Sequence, residues 1–418
     1  MTKCADPEVG LEPVTGVVRG LLAVLCAVAV ANVYYAQPLL ERIGTDLGIP
    51  AAGLGAVVAV AQAGYLVGLV LLVPLGDLVD RRTLIVVQVV AVAAGCAVVV
   101  GATGSAGLLV GMAVVGLFSV VVQIAVAYVA AVSGPAERGR NVGTVTGGVV
   151  VGIILARTVS GAVADLADWR WVYAGSAVLA LVLAVAVLVL LPAATEKRKV
   201  RGPGSASRYG RAVASVVTLT ATDRVFRVRA LICLFVFASF GVLWSGMALP
   251  LSGEPWNLST TQIGLFGVVG LAGALGAARA GRWADRGWGE AVTVCSLVGL
   301  VVSWLFIGQA GHSLVLFAVG VVVLDFAVQA VHVTSQNRIV AARPESSGRI
   351  IGAYMVFYSL GSALGAVTAA WVYAKVGWGA VSVLGAAYAG AALVVWLVDR
   401  RLPRAGADSR PRSVGGVG

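Results

Sequence analysis

Two charged side chains that interrupt long apolar runs are the residues of this sequence best placed to do chemistry. Of 30 basic and 19 acidic residues, only Arg157 and Asp325 lie well within apolar surroundings. If those runs cross a bilayer, each charge costs about 3 kcal/mol on insertion scales, so it should face a partner or a wet cavity. An acid that exchanges partners can take up and release a proton, and Arg157 is the candidate partner of Asp325. The alternative is a purely structural contact between helices.

The residues that follow Asp325 extend this polar site along one helix. Asp325, Gln329 and His332 stand at positions i, i+4 and i+7, which places them on one helix face. That face is polar in an otherwise apolar segment. Asp325 is also the only acid within any of the apolar runs, so a proton-carrying carboxylate has no other candidate there.

The elements that must position these residues are membrane helices. The chain is 59% hydrophobic and only 12% charged, with a mean hydropathy of +0.96, which excludes an ordinary soluble fold. Twelve apolar runs between Gly20 and Val398 are each long enough, at about 20 residues, to cross a hydrocarbon core. The sequence therefore predicts an all-α membrane protein with 12 transmembrane helices.

A short polar motif occurs twice and divides the chain into two similar halves. Gly76, Asp80 and Arg81, in the stretch P-L-G-D-L-V-D-R-R-T, recur 205 positions later (76 to 281). Trp169 recurs as Trp378, 209 positions later. Such repeats predict two six-helix halves with a substrate site near the midplane between them. Neither of the two intramembrane charges has a charged counterpart in the other repeat, which makes both candidates for function.

The first copy of the motif resembles the signature loop of the major facilitator superfamily, which lies between transmembrane helices two and three. The second copy, G-R-W-A-D-R-G, stands between helices eight and nine. One difference is that Arg82 and Thr83 follow Arg81 directly, without the usual glycine. The resemblance implies twelve helices in two halves, alternating access and a conformational hinge. The hinge residues it implies are Gly76, Asp77, Asp80, Arg81, Gly281, Asp285 and Arg286.

Span five carries a second resemblance. Arg157 lies in a glycine pattern from Gly143 to Gly161 that resembles the fifth-helix motif associated with antiporters of the superfamily. The Gly-Pro of that motif is here Ala156-Arg157, so its proline kink is absent and a fixed cation takes its place. With Tyr34-Tyr35-Ala36-Gln37-Pro38-Leu39-Leu40 in span one, the pattern resembles bacterial drug or metabolite exporters. This implies export of small apolar or amphipathic molecules in exchange for protons, driven by the proton gradient.

Polar and aromatic residues of spans one, four, seven and ten are further candidates. They could line the cavity and contact substrate. For Tyr34 and Tyr35, a place in the interfacial aromatic belt is an equal alternative. The cavity candidates are Asn32, Tyr34, Tyr35, Gln37, Gln123, Trp244 and Gln329.

The spans and loops define four predicted segments. They are a first six-helix half (1–191), a basic cytoplasmic linker (192–229), a second six-helix half (230–400) and a disordered cytoplasmic tail (401–418). With both termini inside, the outward loops hold only Arg42, Arg170 and Lys375 of the 30 basic residues, as the positive-inside rule requires. Tyr209–Thr220 in the linker is either a surface amphipathic helix or a solvated tether. We expect a multi-pass protein of the bacterial cytoplasmic membrane.

Several function classes are excluded or set aside. The sequence has no phosphate-binding Gly-Lys-Ser/Thr loop, no metal-ligand cluster and only two histidines, so we expect no enzyme activity, no cofactor and no metal. The positive charge is assigned to topology and to anionic lipid rather than to nucleic acid. Expected partners are a small-molecule substrate and the lipid bilayer, with the chain working as a monomer. The alternatives are an uptake symporter, a uniporter, or a membrane sensor that has lost transport.

Overall fold

The computed structural model describes residues 15–134, 137–191, 210, 218–342 and 347–401, and no strand occurs in these ranges. The first half contains α1 (Gly16–Tyr34), α2 (Ala36–Leu47), α3 (Ala51–Leu71), α4 (Arg81–Val100), α5 (Ser105–Phe118), α6 (Val121–Val132), α7 (Arg138–Leu166) and α8 (Arg170–Leu190). The second half contains α9 (Arg224–Gly246), α10 (Ala248–Ser252), α11 (Thr260–Trp283), α12 (Gly289–Ile307), α13 (Leu314–Ala342), α14 (Ser347–Val376) and α15 (Trp378–Arg401). Short helical turns lie at Val73–Asp77, Ala284–Trp288 and Gly308–Gly311.

The apolar helices account for the twelve predicted spans. Eleven helices in the described ranges are long and apolar enough to cross a membrane, and α11 supplies a shorter apolar stretch at Thr260–Gly273. Three spans are broken into two helices, since α1 is followed by α2, α5 by α6 and α9 by α10. The prediction of an all-α fold with twelve transmembrane helices in two six-helix halves is confirmed.

The same helix pairs pack together in both halves. In the first half α1 packs on α7, α3 on α5, and α4 on α5 and α8. The corresponding second-half pairs are α9 with α14, α11 with α13, and α12 with α13 and α15. The halves meet through two reciprocal pairs, α3 with α14 and α7 with α11. Residues on α7 therefore lie at the interface between the halves.

Glycines bring α7 and α11 into backbone contact. A Cβ atom added at Gly161 would collide with the backbone of Thr260, and one added at Gly264 would collide with the backbone of Arg157. On the other pair, a Cβ at Gly55 of α3 would collide with the backbone of Ala366 on α14. Since only glycine permits this approach, the sequence itself sets how close the two halves come.

The two ends of the bundle differ in the segments they carry. We call the end with the Val73–Asp77 turn the hinge end and the opposite end, where α7 meets the start of α11, the far end. In the linker predicted to end at residue 229, the described residues 218–222 are helical, and α9 begins at Arg224. The candidate helix Tyr209–Thr220 lies largely outside the described residues, as does the predicted tail beyond Arg401.

Candidate functional site

Arg157 and Asp325 both contact one indole ring, Arg157 over its face and Asp325 at its N–H edge. The guanidinium carbon of Arg157, on α7, lies 3.7 Å from the centroid of the Trp244 ring, on α9. Trp244 Nε1 donates a hydrogen bond of 3.1 Å to Asp325 Oδ1, on α13. Arg157 and Asp325, both within the described residues, form no direct ion pair. We call Arg157, Trp244 and Asp325 the central site.

Arg157 is buried, with 3% of its surface exposed, and only part of its hydrogen-bonding capacity is used. Its Nε donates to Gln37 Oε1 at 2.8 Å. The Tyr34 ring centroid lies 5.1 Å from the guanidinium carbon, so the cation contacts two aromatic faces. Its Nη2 is buried and has no hydrogen-bond partner. A guanidinium held this way can change partners without first breaking a strong ion pair.

Asp325 is 7% exposed and is enclosed by α11 as well as by Trp244. A Cβ atom added at Gly270 would overlap the Asp325 carboxylate, and one at Gly273 would collide with the backbone of α13. Because Gly264 of the same helix contacts the Arg157 backbone, α11 touches both charged residues. A movement of α11 would therefore alter the surroundings of acid and base together.

A tyrosine pair joins the halves beside the central site. The hydroxyl of Tyr34, on α1, is hydrogen-bonded to the hydroxyl of Tyr358, on α14. The ring centroids of Tyr358 and Phe237 lie 4.2 Å apart, and those of Phe237 and His332 lie 5.2 Å apart. His332 is also within 3.3 Å of the Tyr354 hydroxyl. Tyr358 and Phe237 were missed by the sequence analysis; the spacing of Tyr354 and Tyr358, one helical turn apart, was the available signal.

Four cavity candidates lie away from the contacts of Arg157. Asn32 is satisfied within the first half, where its Oδ1 accepts from Ser176 at 2.9 Å and from Cys96 at 3.2 Å. Tyr35 packs edge-on against Tyr173, and Gln123 donates to Tyr65 at 3.3 Å. Gln329 is half-buried on α13. The candidates that the structure brings together at Arg157 are Tyr34, Gln37 and Trp244.

Of the two copies of the predicted hinge motif, the structure describes mainly the first. Asp80 caps the N-terminus of α4 and accepts from the Thr83 backbone N–H at 2.9 Å. Arg81 donates to the backbone carbonyls of Gly76 at 3.0 Å and of Ala127 at 2.9 Å, tying α4 to α6. Arg286, in the second copy, is exposed beside Gly287, whose φ is +91°. The side chains of Asp77 and Asp285 and the surroundings of Gly281 lie outside the described residues.

At the far end, an acid of the first half holds a helix of the second. Asp165, on α7, accepts from the Thr261 backbone N–H at 2.7 Å and from the Thr260 hydroxyl at 2.5 Å, at the start of α11. Within the first half, Arg170 donates to Asp46 at 2.6 Å. The pKa of the exposed Asp46 carboxyl is lowered, mainly because Arg170 donates this hydrogen bond. The Asp165 contact joins the two halves at the far end.

Comparison with protein families identifies the architecture. The model of the Major Facilitator Superfamily matches residues 22–286 and 230–415, which together cover nearly the whole chain. The chain belongs to the Major Facilitator Superfamily. It is therefore a membrane transporter and not an enzyme.

Relatives and solved structures agree with this assignment. The chain is 39% identical over 376 residues to the "Uncharacterized transporter YgaY" of Escherichia coli O157:H7, covering 90% of this chain and 94% of the relative. It is 32% identical over 375 residues to the "Probable transporter SCO4007" of Streptomyces coelicolor, covering 88% and 84%. A bacterial homologue of the human lysosomal transporter Spinster, inward-facing and occupied, superposes with a TM-score of 0.75 at 14% identity, covering 92% and 96%. At that identity the likeness concerns the fold alone.

Proposed function

We propose that this superfamily member is a secondary active transporter that exports small apolar or amphipathic molecules in exchange for protons. One observation carries the proposal: Arg157 of the first half and Asp325 of the second are joined through Trp244, whose indole face contacts the base and whose N–H donates to the acid. Because alternating access moves one half against the other, the distance between this base and this acid changes during the cycle.

The central site gives a physical route for coupling. While Arg157 covers the indole face, its positive charge and the Trp244 N–H both favour the ionised form of Asp325. When α7 moves away from α9, Asp325 loses the nearby cation and remains desolvated, so proton uptake becomes favourable. Substrate bound beside Arg157 would compete with the contact between the halves. The aromatic faces of Tyr34, Trp244 and Tyr358 suit an apolar or amphipathic molecule.

The far end and the hinge end are assigned to opposite sides of the membrane. We propose that the hinge end is cytoplasmic, because the far-end loops hold only Arg42, Arg170 and Lys375 of the 30 basic residues. The hinge residues would then control opening at the cytoplasmic face. The Asp165 contact would act as an outer gate, closed in this conformation. The bacterial relatives support a bacterial cytoplasmic membrane. We propose from the distribution of basic residues that both termini lie inside, and that the chain works as a monomer.

The test is proton coupling in proteoliposomes. A resistance profile of a pump-deficient bacterial strain that expresses the protein first supplies a transported dye or drug. Purified protein is then reconstituted with an internal pH indicator, and flux of that compound is measured under an imposed pH gradient. Asp325→Asn, which mimics the protonated acid, should abolish gradient-driven flux while retaining compound binding. Asp168→Asn, at an exposed acid of the far end, is the matched control and should transport normally.

Two outcomes would count against this mechanism. Undiminished gradient-driven flux in Asp325→Asn would remove Asp325 as the proton carrier and leave it a structural or substrate-binding residue. Equal loss in Asp168→Asn would show that the assay responds to any lost carboxylate.

A further inference from the structure

Three arginines share one carboxylate at the hinge end of the second half. Arg229 Nη2 lies 3.0 Å and Arg338 Nη1 3.2 Å from Glu290 Oε1. Arg400 Nη2 lies 3.6 Å from Glu290 Oε2, and Trp396 Nε1 donates to the same oxygen at 3.2 Å. These five residues, which we call the Glu290 cluster, come from α9, α12, α13 and α15. The cluster plays no part in the proposed transport site.

The cluster carries more positive charge than its acid can balance. Three guanidinium groups surround a single carboxylate, so positive charge remains in excess. Asp399, nearby on α15, already pairs with Arg224 at 3.0 Å. Since like charges held close together repel each other, the cluster should attract a further anion.

Donor groups are available to receive that anion. Arg229 is only 6% exposed, and its Nη1 has no hydrogen-bond partner. A buried donor left unpaired costs free energy that an added acceptor would recover. The side chains of Arg338 and Arg400 are 46% and 44% exposed, so an anion can reach them from outside. Arg400 also stacks over the Trp396 ring at 5.0 Å, which orients its guanidinium group.

The surface beside the cluster is apolar. On α15, Val394, Leu397 and Val398 are 56%, 40% and 51% exposed, and on α9 Val225 is 39% exposed. In a membrane transporter, exposed apolar side chains on spanning helices face acyl chains. The Glu290 cluster therefore stands where that lipid-facing surface meets the ends of the helices. Trp396 is a residue type enriched at this boundary.

We propose that the Glu290 cluster is a binding site for the phosphate group of an anionic phospholipid. Guanidinium groups bind phosphate oxygens through paired, charge-assisted hydrogen bonds, and two exposed arginines supply them here. A free phosphate ion has the same anionic chemistry, but the adjoining apolar surface favours an anion that carries acyl chains. Basic pockets between transmembrane helices bind anionic head groups in this way. The bound lipid would hold together the ends of four helices of the second half.

The test compares lipid retention by the full chain and its variants. Protein is purified in a neutral detergent and mixed with phosphatidylglycerol or with phosphatidylcholine at fixed ionic strength. Bound lipid is counted by native mass spectrometry, and the thermal unfolding midpoint, Tm, is recorded. Phosphatidylglycerol should bind and raise the Tm of the wild type more than phosphatidylcholine does. The double variant Arg338→Gln/Arg400→Gln should retain the anionic lipid about thirtyfold less well.

A matched control and a phosphate arm complete the design. Arg138→Gln/Arg140→Gln removes two exposed arginines at the hinge end of the first half and should leave the lipid-dependent Tm shift nearly unchanged. Inorganic phosphate alone should raise the Tm little; an equal shift from phosphate would assign the site to the free ion and overturn the lipid assignment. Unchanged retention in Arg338→Gln/Arg400→Gln, or equal losses in both double variants, would overturn the site itself.

Discussion

The charged groups of the central site and those of the hinge loop, residues 73–83, differ in which halves of the molecule they connect. At the central site, Arg157 belongs to the first half, while Trp244 and Asp325 belong to the second. In the hinge loop, the contacts described for Asp80 and Arg81 reach groups of the first half. The central site is therefore sensitive to how the halves sit against each other, whereas these loop contacts support the fold of one half. Substitutions should separate the two roles.

The largest effect is expected from removing one charge of the central site. Arg157→Ala leaves Asp325 buried without its neighbouring cation, and Asp325→Asn leaves Arg157 without its neighbouring anion. The two charges are joined through Trp244 and do not form a direct ion pair, so each loss should cost less than the roughly 3 to 5 kcal/mol of a broken buried salt bridge. The double variant Arg157→Ala/Asp325→Asn removes the imbalance and should therefore be more stable than the Arg157→Ala variant. Thermal unfolding of the purified proteins measures this, and strictly additive losses would show that the two charges are independent although Trp244 joins them.

An intermediate effect is expected from Trp244→Phe. This change keeps an aromatic face for Arg157 and removes the N–H that Asp325 accepts. A hydrogen bond to a charged group contributes about 1.5 to 3 kcal/mol, so gradient-driven flux should fall about tenfold or more. The same change at Trp256, whose Nε1 donates to the Ala310 carbonyl at the far end, is the control. Equal flux in Trp244→Phe and Trp256→Phe would mean that the Trp244 hydrogen bond has no part in coupling.

The smallest effect on stability is expected in the hinge loop. Asparagine caps helices as well as aspartate does, so Asp80→Asn should keep α4 capped and leave Tm and membrane insertion nearly unchanged. It should nevertheless slow transport, since the loop loses a charge. Asp80→Ala loses the cap as well and should cost about 1 kcal/mol of stability. Normal transport by correctly inserted Asp80→Asn protein would contradict a hinge role for that carboxylate.

The sequence predicted the helices and the two charges of the central site because polar residues are easy to recognise within long apolar, membrane-spanning segments. Arg157 and Asp325 stand out in apolar runs, and Gln37 and Trp244 were named as polar or aromatic exceptions of the same kind. Asn32 has the same appearance, yet it is satisfied inside the first half by Ser176 and Cys96. Polarity alone does not say which buried group still has capacity for another partner.

Contacts between the halves were beyond prediction from the sequence for a geometric reason. Tyr34 and Tyr358 are 324 positions apart, and their contact depends on how two six-helix units are placed together. The same dependence explains why the sequence, which named Arg157 as the candidate partner of Asp325, did not predict that Trp244 would join them. Internal repeats predict the fold of each half far better than the conformation that relates them.

The glycine contact between α11 and Arg157 has a thermodynamic consequence. Gly264 touches the Arg157 backbone in this conformation, so any side chain at position 264 would raise the free energy of this conformation. It would not raise the free energy of a conformation in which α7 and α11 stand apart. A single methyl group could thus change the ratio of two populations without changing any substrate contact. The apparent affinity for a molecule that binds only one population would change in proportion to the fraction of the protein in that population. The amino acid at position 264 therefore helps to determine the ratio of the two conformations in the absence of substrate.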